Sequence, residues 1–266
     1  MILIGERINA GFKDIARAIR EHDPQPVVKW AKKQAACGAD YLDVNIGAAS
    51  RDPADMAWLV EVVQGAVPTP ISVDSNRPEV IRAGLEALDG RAAIVNSTTA
   101  DDDKLEAIVP LAAEAGAGII GVAMDARGSP QDVARRVENG AKIFMACVEA
   151  GIPPEMIFLD PVLMPIRFMQ EQATKVLEAI REYTLLSDPP PHISVGLSNI
   201  CSQTRERSLI ARTFLVMAMA MGLDAAICNV LDDELLDAAA TAELILNREI
   251  YSDGYLKAFR MRRGGG

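Results

Sequence analysis

The chain has 266 residues, half of them apolar and 24% charged, with 37 acidic against 27 basic side chains and a formal net charge of -10. That balance leaves no electrostatic footprint for nucleic acid or an anionic membrane, and points to small molecules or another protein as partners. Cys37, Cys147, Cys201 and Cys228 are scattered without a CxxC pair, so neither a disulfide framework nor a cysteine zinc site follows.

The opening Met1-Ile2-Leu3-Ile4 meets Glu6 and Arg7 too soon to be a signal-peptide core. No apolar run reaches membrane-spanning length, and a cytoplasmic setting is expected. The first strand is expected at Ile2 to Gly5. The long stretch that follows holds Asp14 to Ile19 ahead of a helix from Pro26 to Cys37, which predicts an additional helical turn or short helix. Strand and helix then alternate. A strand at Tyr41 to Asn45 leads to a helix at Pro53 to Gln64, and one at Ile71 to Asp74 to a helix at Arg77 to Leu88. Ala93 to Asn96 precedes Asp102 to Ala115, and Ile119 to Met124 precedes Pro130 to Ala150. Ile157 to Asp160 precedes Glu171 to Leu186, Ile193 to Gly196 precedes Leu209 to Met221, and Ala225 to Asn229 precedes Glu234 to Leu246.

The strands are largely apolar, as parallel strands covered on both faces are. Several helices open on Pro or follow Asp or Ser, and Gly38, Gly116, Gly151 and Gly222 close others. This is the pattern of a single-domain (β/α)8 TIM barrel over residues 1–259. The last residues, 260–266, form a short basic, glycine-ended tail expected to be disordered. The Met-rich Leu215 to Met221 suits a helix face packed on the sheet.

In such a barrel the C-terminal ends of all strands share one rim. Asp43, Asn45, Asp74, Asn96, Asp160 and Asn199 lie at or just beyond five of those ends. Carboxylates accept paired N–H donors and carboxamides both donate and accept, so the set suits a flat heteroaromatic such as a pterin. Helix capping explains one or two such residues, and is the expected role of Asp101-Asp102-Asp103, but not one at each of five strands. Asp43, Asp74 and Asp160 offer a magnesium site only weakly, since amides alternate with the acids, and no metal is expected. The two histidines, His22 and His192, lack metal-binding spacing, and no strand carries a lysine for Schiff-base chemistry. His192 falls at the wrong end of its strand for a Ser/His/Asp hydrolase using Ser75 or Ser198. Cys201 is read as packing, and Arg205 and Arg207 as solvated or as holders of an anionic substrate tail.

Gly5-Glu6-Arg7-Ile8-Asn9, Asp43-Val44-Asn45-Ile46-Gly47, Val73-Asp74-Ser75, Asn96-Ser97-Thr98 and Gly196-Leu197-Ser198-Asn199 together resemble the pterin-binding methyltransferases that work with cobalamin proteins. The likeness is nearest to the methyltetrahydrofolate:corrinoid/iron-sulfur protein methyltransferases of the acetyl-CoA pathway. It implies a homodimeric barrel that binds 5-methyltetrahydrofolate and passes its methyl group to Co(I) of a corrinoid protein, a separate partner carrying cobalamin. By motif, Asp74, Asn96 and Asp160 resemble the residues that hold the pterin, with Asp43, Asn45, Gly196 and Ser198 around it. Asn199 resembles the residue that hydrogen-bonds the methyl-bearing nitrogen, Arg207 resembles a family arginine, and Asp160 is expected to tune the water that supplies the proton. The stretch Ile200 to Thr204 departs from the family's Ser and Gln positions. A dihydropteroate synthase-like enzyme is the rival, disfavoured because Asn199-Ile200-Cys201 replaces its Ser-Arg-Lys type sequence. A non-catalytic folate-binding module that docks a corrinoid protein is a second rival. Cobalamin-dependent methionine synthase has a similar folate module, but this chain is too short for its homocysteine and cobalamin domains.

Overall fold

In the computed structural model, which describes residues 1–47 and 49–264, eight parallel strands wind into a barrel. They are β1 (Ile2–Asn9), β2 (Tyr41–Asn45), β3 (Ile71–Asp74), β4 (Ala93–Thr99), β5 (Gly118–Val122), β6 (Ile157–Asp160), β7 (His192–Ile193) and β8 (Ala225–Cys228). Consecutive strands pair from β1 to β7, and β8 pairs with β1. The seam between β7 and β8 closes through a Gly196–Ile227 bridge, where Ile227 N–H donates to Val195 O at 3.0 Å. The fold is therefore the expected single-domain (β/α)8 barrel.

The helices are α1 (Lys13–Glu21), α2 (Pro24–Ala36), α3 (Pro53–Ala66), α4 (Pro78–Glu86), α5 (Asp102–Ala115), α6 (Val133–Glu149), α7 (Gln172–Tyr183), α8 (Arg207–Met221), α9 (Asp233–Ile245) and α10 (Tyr255–Gly264). The first crossover holds a complete extra helix, α1. Asp23, Asp52 and Asp232 cap α2, α3 and α9 through their carboxylates. Asp101 departs from expectation, because its side chain caps nothing. It accepts from Thr99 Oγ1 at 2.8 Å and Ala126 N–H at 2.6 Å, tying the ends of β4 and β5 together. Helix α10 occupies the stretch where a disordered tail is expected from residue 260. Arg260 pairs there with Asp237 of α9 at 2.6 Å, which holds that turn against the barrel's outer layer. Residues 265 and 266 lie outside the described residues.

Two apolar layers hold the barrel. The larger lies between strands and helices, and the smaller fills the barrel interior with Ile4, Ile94, Ile120, Phe158 and Ala225. Because side chains alternate along a strand, these interior positions fix what points inward nearer the rim. Two residues beyond Ile4, Tyr41, Ile94 and Phe158 come Glu6, Asp43, Asn96 and Asp160. A hydrocarbon plug below thus supports a polar layer above.

Candidate active site at the barrel mouth

The polar layer is cross-linked strand to strand. On β2, Asp43 is 2% exposed, and its Oδ1 accepts from Ser72 Oγ of β3 at 2.8 Å and from Asn96 Nδ2 of β4 at 3.0 Å. Asn45 Nδ2 donates to Asp74 Oδ2 at 2.6 Å. Asn96 is 7% exposed and Asp160 is 8% exposed. Asp160 Oδ1 accepts Val162 N–H at 2.7 Å, and its Oδ2 accepts Gly196 N–H at 3.3 Å across the gap to the end of β7.

Burial dominates the acid chemistry. It pushes Asp160 up to about 6 against the two backbone donors, and Asp74 up to about 6 against the Asn45 amide. Burial, and then the charge of Asp74, raise Asp43 well above the usual carboxylate range. Glu6 is raised by burial as well, opposed by the Ser198 hydroxyl and the Arg207 charge. A mouth lined by acids that resist ionising accepts N–H donors without accumulating several negative charges.

The end of β7 supplies the other half. Of the expected strand Ile193 to Gly196 only Ile193 lies in β7 (His192–Ile193), because the chain turns at Gly196 into a 3-10 turn, Leu197–Asn199. A Cβ at Gly196 would lie 2.8 Å from Asn199 Nδ2, so this close approach requires glycine. The Asn199 side chain is exposed and makes no hydrogen bond to the described residues. Ser198 Oγ donates to Glu6 Oε1 at 2.8 Å, joining this turn to β1.

Glu6 was not among the expected site residues. Its signal is the period of Ile2, Ile4, Glu6, hidden because β1 runs four residues past the expected end. The bulge between Gly5 and Ile8 lets Arg7 leave the mouth. Arg7 stacks between Phe12 and Trp30, its guanidinium carbon 4.0 and 4.1 Å from the ring centroids, and pairs with Asp14 at 2.8 Å. Gln34 of α2 crosses Gly5, where a Cβ would lie 2.5 Å from its Oε1, and that oxygen accepts Arg7 N–H at 2.9 Å.

Two hollows open on this face. One of about 420 Å³ is lined by Asn45, Gly47, Asp74, Ser75, Asn76 and Arg77. The other, about 320 Å³, includes Glu6, Arg7, Trp30, Ser198, Arg207 and Asn229. Arg207 is exposed at the first turn of α8, and Arg205 is exposed beside it.

The remaining candidates separate from the mouth. Cys201 is buried, its Sγ donates to Ser198 O at 3.3 Å, and burial raises its pKa above the usual thiol value. His192 stacks on Phe158 with centroids 4.7 Å apart and bonds Asp224 at 2.7 Å, at the opposite end of its strand from the rim. Ser198 therefore has a glutamate and not a histidine as its partner. Among the described residues, no group of three or more His, Cys, Asp or Glu is placed to hold a metal ion, and no helix is long and apolar enough to cross a membrane.

The family described as pterin binding enzyme matches residues 5–229, from the bulge of β1 to the end of β8. The chain belongs to the pterin binding enzyme family. It is 29% identical to a methylcorrinoid:tetrahydrofolate methyltransferase of Eubacterium limosum over 273 aligned positions, covering 100% of this chain and 98% of the relative. It is 31% identical to the methionine synthase of Mycobacterium tuberculosis over 86% of this chain, a match to 20% of that much longer protein. Among solved structures, dihydropteroate synthase of Thermus thermophilus superposes with a TM-score of 0.68 at 19% identity, covering 91% of this chain and 94% of that one. The Yersinia pestis synthase gives a TM-score of 0.66 at 15% identity, with 93% and 94% covered. These structures share the barrel fold.

Proposed function

We propose that this pterin-family barrel moves a methyl group between N5 of 5-methyltetrahydrofolate and the cobalt of a corrinoid carried by a separate protein. In the forward direction the N5–CH3 bond breaks with its electron pair left on nitrogen, which takes up a proton. The Co(I) pair forms the new Co–CH3 bond, and cobalt becomes Co(III). The reverse reaction passes methyl from Co(III) to N5 and releases the proton. The name of the Eubacterium limosum relative, similar along nearly its full length, supports the direction from methylcorrinoid to tetrahydrofolate in the cell.

The observation that carries this reading is the Asn199 carboxamide, exposed at the rim with no structural hydrogen bond of its own. An amide cannot deliver a proton at neutral pH. It can hydrogen-bond N5 while charge changes there, a preorganised contact that contributes about 3–4 kcal/mol when it acts at the transition state. In this reading Asp74, Asn96 and Asp160 bind the donor-rich edge of the pterin, and Asn45 orients Asp74. Gly196 and Ser198 form the wall beside it. Asp160, titrating at about 6, exchanges protons with water near the ring. Arg207 holds the anionic tail of the folate. The protein needs no nucleophile, because cobalt or N5 supplies the electron pair.

The homodimer is part of the proposal. Leu209, Val216, Met217 and Met221 are exposed along one face of α8, and a second copy would cover them.

The test is anaerobic mixing of the protein with methyltetrahydrofolate and Co(I) cobalamin, following loss of Co(I) absorbance and appearance of methylcobalamin. Protein-dependent transfer is expected. Failure to bind tetrahydrofolate would overturn the proposal, and binding without transfer to either free cobalamin or a corrinoid protein would reduce the chain to a binding module.

A further inference from the structure

Asp43 occupies an unusual position for a residue of this mouth. It is all but sealed from solvent, and its Oδ1 already accepts two hydrogen bonds, from Ser72 Oγ and Asn96 Nδ2. Asp74 is its neighbour on β3: Asp43 pairs with Ser72 in the β2–β3 register, and Asp74 lies two residues further along on the same inward-facing side, where the two carboxyls interact. The charged groups that face Asp43 are Asp74 from β3 and Glu6 from β1, both acids. Two buried carboxyls in contact cannot both ionise, so one holds a proton. Depth decides which: Asp74 opens on the hollow and receives the Asn45 amide, whereas Asp43 lies beneath it.

We propose that Asp43 is a neutral carboxylic acid that donates its proton to Asp74, making Asp43 a positioning residue that fixes Asp74 as a hydrogen-bond acceptor for the substrate. The bond holds one Asp74 oxygen from below while the Asn45 amide holds Oδ2 from the side. Asp74 then presents a fixed acceptor to the amino and N–H groups of a pterin. Asp43 does this without touching the ligand. The inference rests on the pterin reading for its substrate, but not for the protonation itself.

The two parts separate in a single experiment with Asp43→Asn, Asp43→Ala and Asp74→Asn. An asparagine at 43 keeps the arrangement, because its oxygen accepts from Ser72 and Asn96 while its amide donates to Asp74. Asp43→Asn is therefore expected to bind tetrahydrofolate within about threefold of wild type, Asp43→Ala to bind about 10- to 100-fold more weakly, and Asp74→Asn at least as weakly as that. The infrared spectrum of ligand-free protein labelled with 13C-aspartate supplies an independent readout at neutral pH. A protonated-carboxyl C=O band is expected in wild type and is expected to be lost in Asp43→Asn. If Asp43→Asn loses as much affinity as Asp43→Ala, or if the two infrared spectra carry the same bands, the proposal is overturned. Wild type that shows the band but binds no tetrahydrofolate would sink the pterin reading and leave the proton on Asp43.

Discussion

Arg136 carries the largest of the fully buried side chains, at 0% exposure, and sits on α6 behind the mouth. Its Nε donates to Pro161 O at 2.8 Å, Nη2 to Gln172 Oε1 at 2.8 Å, and Nη1 to Asp132 O at 3.2 Å. No carboxylate pairs with it among the described residues. Pro161 follows Asp160, and Val162 beyond it takes the left-handed conformation at φ 68°, costly for a β-branched residue and held by its N–H bond to Asp160. Arg136→Met keeps the apolar stem and leaves two buried acceptors, Pro161 O and Gln172 Oε1, without that donor. At about 1.5 kcal/mol each the loss is about 3 kcal/mol, and relief of an unpaired buried cation returns part of it. The expected net destabilisation is about 2 kcal/mol, read as a lower urea midpoint at unchanged slope. The freed turn lets Asp160 rotate, so tetrahydrofolate affinity falls about tenfold. Gln172→Leu, which removes one of the three contacts, is expected to show a fraction of the loss in stability and little loss in binding. An Arg136→Met protein with the wild-type midpoint and affinity would refute the idea that this cation anchors the Asp160 turn.

Asn199→Ala is expected to slow methyl transfer about 10²- to 10³-fold with tetrahydrofolate affinity little changed, and stopped-flow against titration separates the two. Gly196→Ala, allowed by a backbone φ of -72°, pushes its Cβ into the Asn199 amide, and is expected to slow transfer at unchanged urea midpoint. Stability should fall as pH rises from about 4 and go on falling beyond about 6, since the folded protein holds protons on Asp160 and Asp74 up to about 6, and on Asp43 past that, which the unfolded chain, near 3.8, has already released. Asp160 alone contributes about 3 kcal/mol to that fall, and Asp160→Asn should flatten the slope in urea titrations. Val216→Lys with Met217→Lys is expected to shift the sedimenting species from dimer to monomer with folding intact.

Strand alternation made the barrel legible, because parallel strands buried on both faces read as apolar runs of fixed length. The ends were less legible. β1 continues through a bulge that no apolar pattern marks, and β7 shrinks to His192–Ile193 because Gly196 turns the chain early. The acids and amides of the mouth were visible as residues breaking apolar runs at their C-terminal ends. Depth was not visible, since Asp43 and Asn45 look alike in sequence, yet only the first lies sealed beneath its neighbours. Glu6 was hidden by the same unexpected length of β1, whereas Arg136 escaped for another reason: its partners Pro161 and Gln172 come from distant segments, and no local pattern announces such contacts.

Burial changes in order across the mouth, and that order bears on how a substrate would sit. Asp43, Asn96 and Asp160 are buried, Asn45, Asp74, Gly196 and Ser198 are half-buried, and Asn199 and Arg207 are exposed. Groups that recognise a ring by several hydrogen bonds gain most where water is excluded. In the proposed reaction, a group beside a methyl that must meet cobalt on another protein needs the open end. The gradient therefore favours a pterin whose donor-rich edge points inward and whose N5 lies at the rim. In that pose the corrinoid approaches along the barrel axis, and the folate tail leaves toward the hollow at Arg207. Burying Asn199 as deeply as Asn96 would keep the hydrogen bond to N5 and close the path to the partner's cobalt.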